Sequence, residues 1–342
     1  GAMNVIAQRL DAVREQMKTA GYDALVVPRA DEYLGEYIPA HNERLRWLSG
    51  FTGSAGFVLV TATDAAIFVD GRYKVQVRQE VSPDLFEYCR LGDDPHGEWL
   101  AAHLPGGAVV ACDSRMHSLR WYRDSEAALA ASGLQLIAAP HNLVDACWRD
   151  RPAPRVSPAL LLDEQYSGES SSAKRERIGA QIAAKGARAA LVFAPDSISW
   201  LFNIRGTDIP KLPVVQGLAL LEADGQATLL VDPGRVPEGF AAHVGEGVSV
   251  LPETDATRVL ASYRGRRVLA DPDTANAWSQ LALEHGGATL VAGSDPVLLP
   301  KACKNSVEIQ GTCNAHIRDA VAEVRFLAWL DAEVAAGRLY TE

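Results

Sequence analysis

The sequence predicts an α/β protein of two related domains in tandem, followed by one long helix. Three observations lead there. An order of helix, glycine stop and apolar strand opens the chain; the same order returns about 160 residues later; and from Ile309 onward apolar residues step by three or four without a break.

In chain order, Val5, Ile6, Leu10, Val13 and Met17 recur at helical spacing, Gly21 stands where a C-cap glycine belongs, and DALVV (23–27) reads as a buried strand. NERLRWLSGFTGSAG (42–56) then reads as a turn into the first sheet. Trp47 and Leu48 are expected inside, glycines make the turns, and Arg44 and Arg46 are left to neutralise acids or face another domain. FVLV (57–60) and AAIFVD (65–70) form a hairpin ending at DGRY, and GAVVACD (107–113) adds a strand. The second copy begins with SSAKRERIGAQIAAKGARAALVF (171–193), where ISWLFNIRGTDIP (198–210) parallels LRWLSGFTGSAG. Its hairpin is GLALLEADGQATLLVD (217–232), turning at Asp224-Gly225. Between the copies, WRDRPAPRVSPALLLDEQYSGESSS (148–172) has three prolines and a serine run that resist helix and sheet. LADPDTANAWSQLALEHGG (269–287) gives strand, helix capped by Asp273 or Thr274, and glycine stop. Ile309, Cys313, Ile317, Val321, Val324, Leu327, Leu330 and Val334 mark one face of a final helix, roughly 40 Å long. Such a stripe is expected to pack on its own domain, pair with a second copy or stay unfolded.

Composition narrows the function. A net charge of −10 without a basic block removes the electrostatic footprint of a nucleic-acid or anionic-membrane partner and favours peptides or small molecules. Five widely spaced cysteines without a C-x-x-C pair argue against a disulfide framework or structural zinc, and point to a reducing cytoplasm. Gly1-Ala2-Met3 reads as a cleavage remnant before the native start; no leader pattern follows, and no apolar run reaches a membrane span.

Catalytic motifs are missing: there is no H-E-x-x-H, no G-x-S-x-G and no phosphate loop. Gly50, Gly53 and Gly56 lack the strand and acid partner of a dinucleotide loop. In GDDPHGEW (92–99), Asp93, Asp94, His96 and Glu98 read better as a helix start than as metal ligands. His316 and Asp319 read as a hydrogen-bonding pair on the last helix.

DEYLGEYIPAHNERLRWLSGFTGSAGFVLV, AAIFVDGRYKVQ, ISWLFNIRGTDIPKLPVV and LPKACKNSVEIQGTCNAHIRDAVAEVRFLAWLDAEV together resemble the three-domain Xaa-Pro aminopeptidases, pita-bread metallopeptidases related to creatinase and prolidase. The resemblance implies two tandem creatinase N-terminal-like (ribonuclease H-like) domains, each a mixed sheet flanked by helices. It places domain I at 4–150, a linker at 151–172, domain II at 173–303, and the first helix of a truncated catalytic domain at 304–342. It also implies removal of an N-terminal residue preceding proline by a cytoplasmic homodimer holding two divalent metal ions, usually manganese, with all ligands beyond Glu342. These domains would then scaffold, help dimerise and gate the active site, and the chain alone would be inactive. Gate candidates are Arg72 and Tyr73 after the first hairpin, and Arg205 and Asp208 in NIRGTDIP, arginine being suited to grip a peptide carboxylate with two hydrogen bonds. The alternatives are a prolidase- or creatinase-type hydrolase, or a stand-alone peptide-binding module.

Overall fold

The central strands show no polar alternation, because both of their faces are covered. In the computed structural model, which describes residues 2–92, 96–154, 156–206 and 215–302, Phe57–Thr61 and Ala65–Val69 are buried at every position. A strand buried on both sides needs helices on both sides, and each half of the chain supplies them.

The first half contains α1 (Ala2–Ala20), β1 (Ala24–Pro28), α2 (Arg44–Ser49), β2 (Phe57–Thr61), β3 (Ala65–Val69), α3 (Lys74–Glu80), β4 (Glu87–Arg90), α4 (His96–His103), β5 (Val109–Cys112), α5 (Leu119–Ala131), β6 (Gln135–Ala138) and α6 (Leu143–Cys147). Its six strands lie in the order β4-β3-β2-β1-β5-β6. The β1–β2 and β2–β3 pairs are antiparallel and the other three parallel, so the sheet is mixed. Leu25, Val27, Val58, Val60, Ile67 and Val69 face one way, into Leu10 and Val13 of α1, Leu45 and Leu48 of α2, and Val144 of α6. The alternate residues face the other way. There Phe57 and Phe68, opposite each other in register, stack at 4.7 Å, and His96 of α4 meets Phe57 edge-on.

The second half contains β7 (Leu160–Leu161), α7 (Glu164–Ser167), α8 (Ser171–Ala184), β8 (Ala189–Val192), α9 (Pro195–Phe202), β9 (Ile204–Arg205), β10 (Leu218–Glu222), β11 (Ala227–Leu230), α10 (Phe240–Val244), β12 (Val248–Leu251), α11 (Ala256–Ala261), β13 (Arg267–Ala270), α12 (Ala277–His285), β14 (Thr289–Ala292) and α13 (Leu298–Ala302). Its sheet runs β12-β11-β10-β8-β13-β14 with the same succession of parallel and antiparallel pairs. The duplication read from the sequence is therefore a duplication of topology. The two halves pack as separate units dividing between Ala153 and Pro154.

Two local readings are corrected. The connecting segment is not devoid of structure: β7 pairs antiparallel with β9, and Asp163 caps the single turn of α7 by accepting from the Gln165 amide. The cap of α12 is Asn276, which accepts from the Ser279 amide at 2.9 Å, while Asp271 holds the preceding turn through the Asp273 amide. The asparagine occupies the last extended position before the helix, and the earlier polar residues belong to that turn. In the first half, the short mixed-polarity strands β4 and β6 complete the sheet on either side. The long final helix, with His316 and Asp319, lies outside the described residues, as do Asp93 and Asp94. Glu98 sits in the first turn of α4, which begins at the buried His96.

Equivalent side chains hold the two copies. Arg9 of α1 donates to the Trp47 carbonyl at 2.7 Å and lies over the Trp47 ring; Lys174 of α8 donates to the Trp200 carbonyl at 2.9 Å and lies over the Trp200 ring. Each cation stands at the same distance before its helix-ending glycine, Gly21 or Gly186. One step further along, Arg14 bonds the Thr61 carbonyl at the end of β2, whereas the matching residue in α8 is Gly179. A Cβ there would sit 2.7 Å from the Ala223 carbonyl, so only glycine lets α8 approach the second hairpin so closely.

Candidate functional site

The glycine-rich loop after α2 and the tip after β3, separate in sequence, meet in the first unit. Gly50 ends α2 in the left-handed conformation at φ 85°, and Gly56 passes so close to the Phe68 carbonyl that a Cβ would lie 2.9 Å from it. Tyr73 reaches back to this loop: its hydroxyl accepts from the Ser54 amide at 3.0 Å and shares a hydrogen bond with the Ser54 hydroxyl. Its ring stands edge-on to Phe51 at 5.3 Å. Glu80 accepts from the Thr52 amide and hydroxyl and from Gln76; burial raises its pKa, but these hydrogen bonds prevail and hold it below the usual value.

Arg72 is exposed, yet its fork is engaged. Nε and Nη2 donate to both carboxylate oxygens of the buried Asp70, at 3.0 and 2.7 Å to Oδ2, and its backbone N–H donates to Oδ1. Those side-chain hydrogen bonds raise the guanidinium's pKa above its ordinary value. Of the guanidinium nitrogens, Nη1 remains turned away from Asp70. Arg205, in the second unit, is an exposed member of β9 opposite Leu160. Asp208 lies outside the described residues. Within the first unit the structure brings Tyr73 and Ser54 together.

Behind this loop lies an open cleft of about 670 Å³, walled by Ile6, Arg9, Glu43, Arg46, Trp47 and Trp148. The two indoles stack at 5.9 Å. Burial raises the Glu43 pKa, opposed by Arg29 and Arg46. Arg46 faces outward, whereas Arg44 turns in and donates to both oxygens of Asp145, at 2.7 and 3.1 Å, to Asn42 Oδ1 and to Met116 Sδ. Arg151 joins the same carboxylate at 3.1 Å. Neutralising an acid is thus the observed task of Arg44. Sequence reasoning missed its partner, and also the Arg9–Trp47 and Lys174–Trp200 pairs. A matching cation at one offset before each glycine stop was the available signal for these pairs.

Among the described residues, no three His, Cys, Asp or Glu side chains converge to hold a metal ion. None of the described helices is long and apolar enough to cross a membrane.

Comparison with known proteins accounts for both units. The family model of the creatinase/prolidase N-terminal domain matches residues 9–147, and a second model of the same description matches 150–308. Aminopeptidase P1 of Arabidopsis thaliana is 34% identical over 91% of this chain and 52% of its own length. The Xaa-Pro aminopeptidase ApepP of Drosophila melanogaster is 32% identical over 96% of this chain and 56% of its own. The crystal structure of X-prolyl aminopeptidase from Caenorhabditis elegans, described as a cytosolic enzyme with a di-nuclear active site, superposes with a TM-score of 0.80 at 27% identity, covering 95% of this chain and 56% of that one. The chain spans little more than half the length of these relatives. Mixed six-stranded sheets of one topology, repeated in tandem and each matched by the same domain description, show that both halves of the chain belong to the creatinase/prolidase N-terminal domain family.

Proposed function

We propose that this chain is the non-catalytic N-terminal portion of a metal-dependent Xaa-Pro aminopeptidase, an enzyme releasing an N-terminal residue that precedes proline. One observation carries the reading: nearly the whole chain aligns with Xaa-Pro aminopeptidases, yet covers only about half of each. Two divalent ions, manganese by family resemblance, would supply water activation and Lewis-acid chemistry in the longer protein. The described residues offer no ligand set for them, and this chain's part is scaffold and gate. By the same reading, the longer protein would work in the cytoplasm as a homodimer.

The decisive assay is release of the first residue from an Xaa-Pro-Pro peptide with manganese added. This chain is expected to show no turnover above the peptide alone, beside an active longer protein; metal-dependent turnover by the chain itself would overturn the reading.

For the gate, Arg72, Tyr73, Arg205 and Asp208 are each proposed as candidates to contact the peptide. Arg72 would do so through Nη1, its other nitrogens being held by Asp70. In the longer protein, Arg72→Ala and Arg205→Ala are expected to change relative kcat/KM between tripeptides and longer peptides. Identical length profiles would remove both residues from the gate.

A further inference from the structure

The cleft behind the glycine-rich loop combines an aromatic wall, an apolar edge and one carboxylate that the fold does not use. Trp47 is 7% exposed and Trp148, stacked on it, is half-buried, so Trp148 presents the open part of the pair. Val5, 42% exposed, extends the apolar surface together with Ile6 and Pro152. Arg9 lays its guanidinium over the Trp47 ring at 4.9 Å, an internal instance of a cation held on this wall. Two of the acids lining the cleft are committed: Glu43 pairs with Arg29 at 3.7 Å, and Glu80 accepts from Thr52 and Gln76. Arg46 lies in the field of both. Asp150, exposed two residues beyond Trp148, has no hydrogen bond or ion pair among the described residues. Its neighbour Arg151 is turned to Asp145 and the His41 carbonyl.

We propose that this cleft binds the free amino terminus of a short apolar peptide, its ammonium between the Asp150 carboxylate and the Trp148 ring and its first side chains along Val5, Ile6 and Pro152. Size and chemistry select this class. The volume of about 670 Å³ falls within the range of sites for drug-sized ligands, enough for a short peptide. An anion would meet Glu43, Glu80 and Asp150 with one exposed arginine, Arg46, in its favour. A purely apolar ligand would take water from Asp150 and offer it no partner. An ammonium joined to an apolar body satisfies both surfaces, since the carboxylate accepts a charge-assisted hydrogen bond and the indole face attracts the cation. That the longer protein also cleaves peptides with a free amino terminus rests on the aminopeptidase reading; the binding does not.

The test is an NMR titration of the full 342-residue chain, read at the indole N–H of Trp148, which Trp148→Phe assigns. The probes are leucyl-alanine amide, its N-acetyl derivative, and N-acetyl-lysine amide, which carries its ammonium on a side chain. The free amine is expected to shift the signal saturably, with the acetylated peptide binding about tenfold more weakly or worse. Asp150→Asn, at an exposed position, is expected to leave the melting temperature unchanged and to abolish most of the difference between the free and acetylated peptides. Equal binding of those two peptides by the parent, or the same discrimination in Asp150→Asn, would overturn the proposal. Equal binding of the lysine derivative would do so as well, by assigning the cleft to side-chain amines. Failure here leaves the Xaa-Pro assay untouched, and failure of that assay leaves this titration untouched, so the two ideas fall separately.

Discussion

Asp145→Ala is expected to destabilise the first unit by about 3 kcal/mol or more, because it strands a buried guanidinium. The Arg44 side chain is only 4% exposed, and Asp145 accepts from it twice. Arg151 bonds the same carboxylate and cannot replace it; as a second cation it adds repulsion once the acid is gone. Urea unfolding followed by hydrogen exchange in α2 and α6, the helices that carry the pair, measures the loss. The companion variant Arg44→Met/Asp145→Leu removes both charges and is expected to recover most of it, since a buried pair exchanged for apolar groups costs little. A single variant as stable as the parent, or a double variant no better than the single, would show that the pair contributes no such coupling.

Acid is expected to weaken the same unit through His117. The residue is 2% exposed and its ring stacks on Trp121 at 3.5 Å. Among the described residues, neither of its ring nitrogens nor the Trp121 Nε1 has a hydrogen-bond partner. Burial, reinforced by the nearby His96, lowers its pKa from 6.5 to about 3. The folded protein therefore keeps His117 neutral where the unfolded chain protonates it. Below pH 6.5 the unfolded state binds the extra proton, so stability falls as pH drops, and the loss is complete only near pH 3. At pH 4 the expected contribution is about 3 kcal/mol. His117→Leu removes this titration while leaving the carboxylates, so the gap between variant and parent stability should narrow or reverse between pH 7 and 4. Parallel stability curves over that range would exclude His117 as the source.

How much of this was legible follows from the range of each signal. The hairpins and the helix stops at Gly21 and Gly186 are written within a few residues of themselves, and they stood where periodicity put them. The duplication was legible because order survives where identity does not. What escaped was contact at a distance. Asp145 lies 101 residues from Arg44, and Arg9 reaches a main-chain oxygen 38 residues away; no period or motif encodes such pairs. The α12 cap was misplaced because DPDTAN offers several oxygen-bearing side chains in succession, and only backbone geometry chooses among them. At the site, Arg72 and Tyr73 were visible as a tip. Their commitments to Asp70 and Ser54 were not, since an arginine that grips its own turn reads the same in sequence as one that awaits a ligand.

Two neighbours of one topology also face a problem of assortment while they fold. A strand pattern shared by both halves invites a helix from one to settle on the hairpin of the other, a recurrent error of tandem repeats. The glycine of α8 works against that error. Its bare backbone lies against the Ala223 carbonyl, where even a methyl group would collide, and α1 carries Arg14 at the corresponding place. Helix α1 therefore cannot seat itself on the β10–β11 turn as α8 does, so one missing side chain helps the nascent chain sort its two halves.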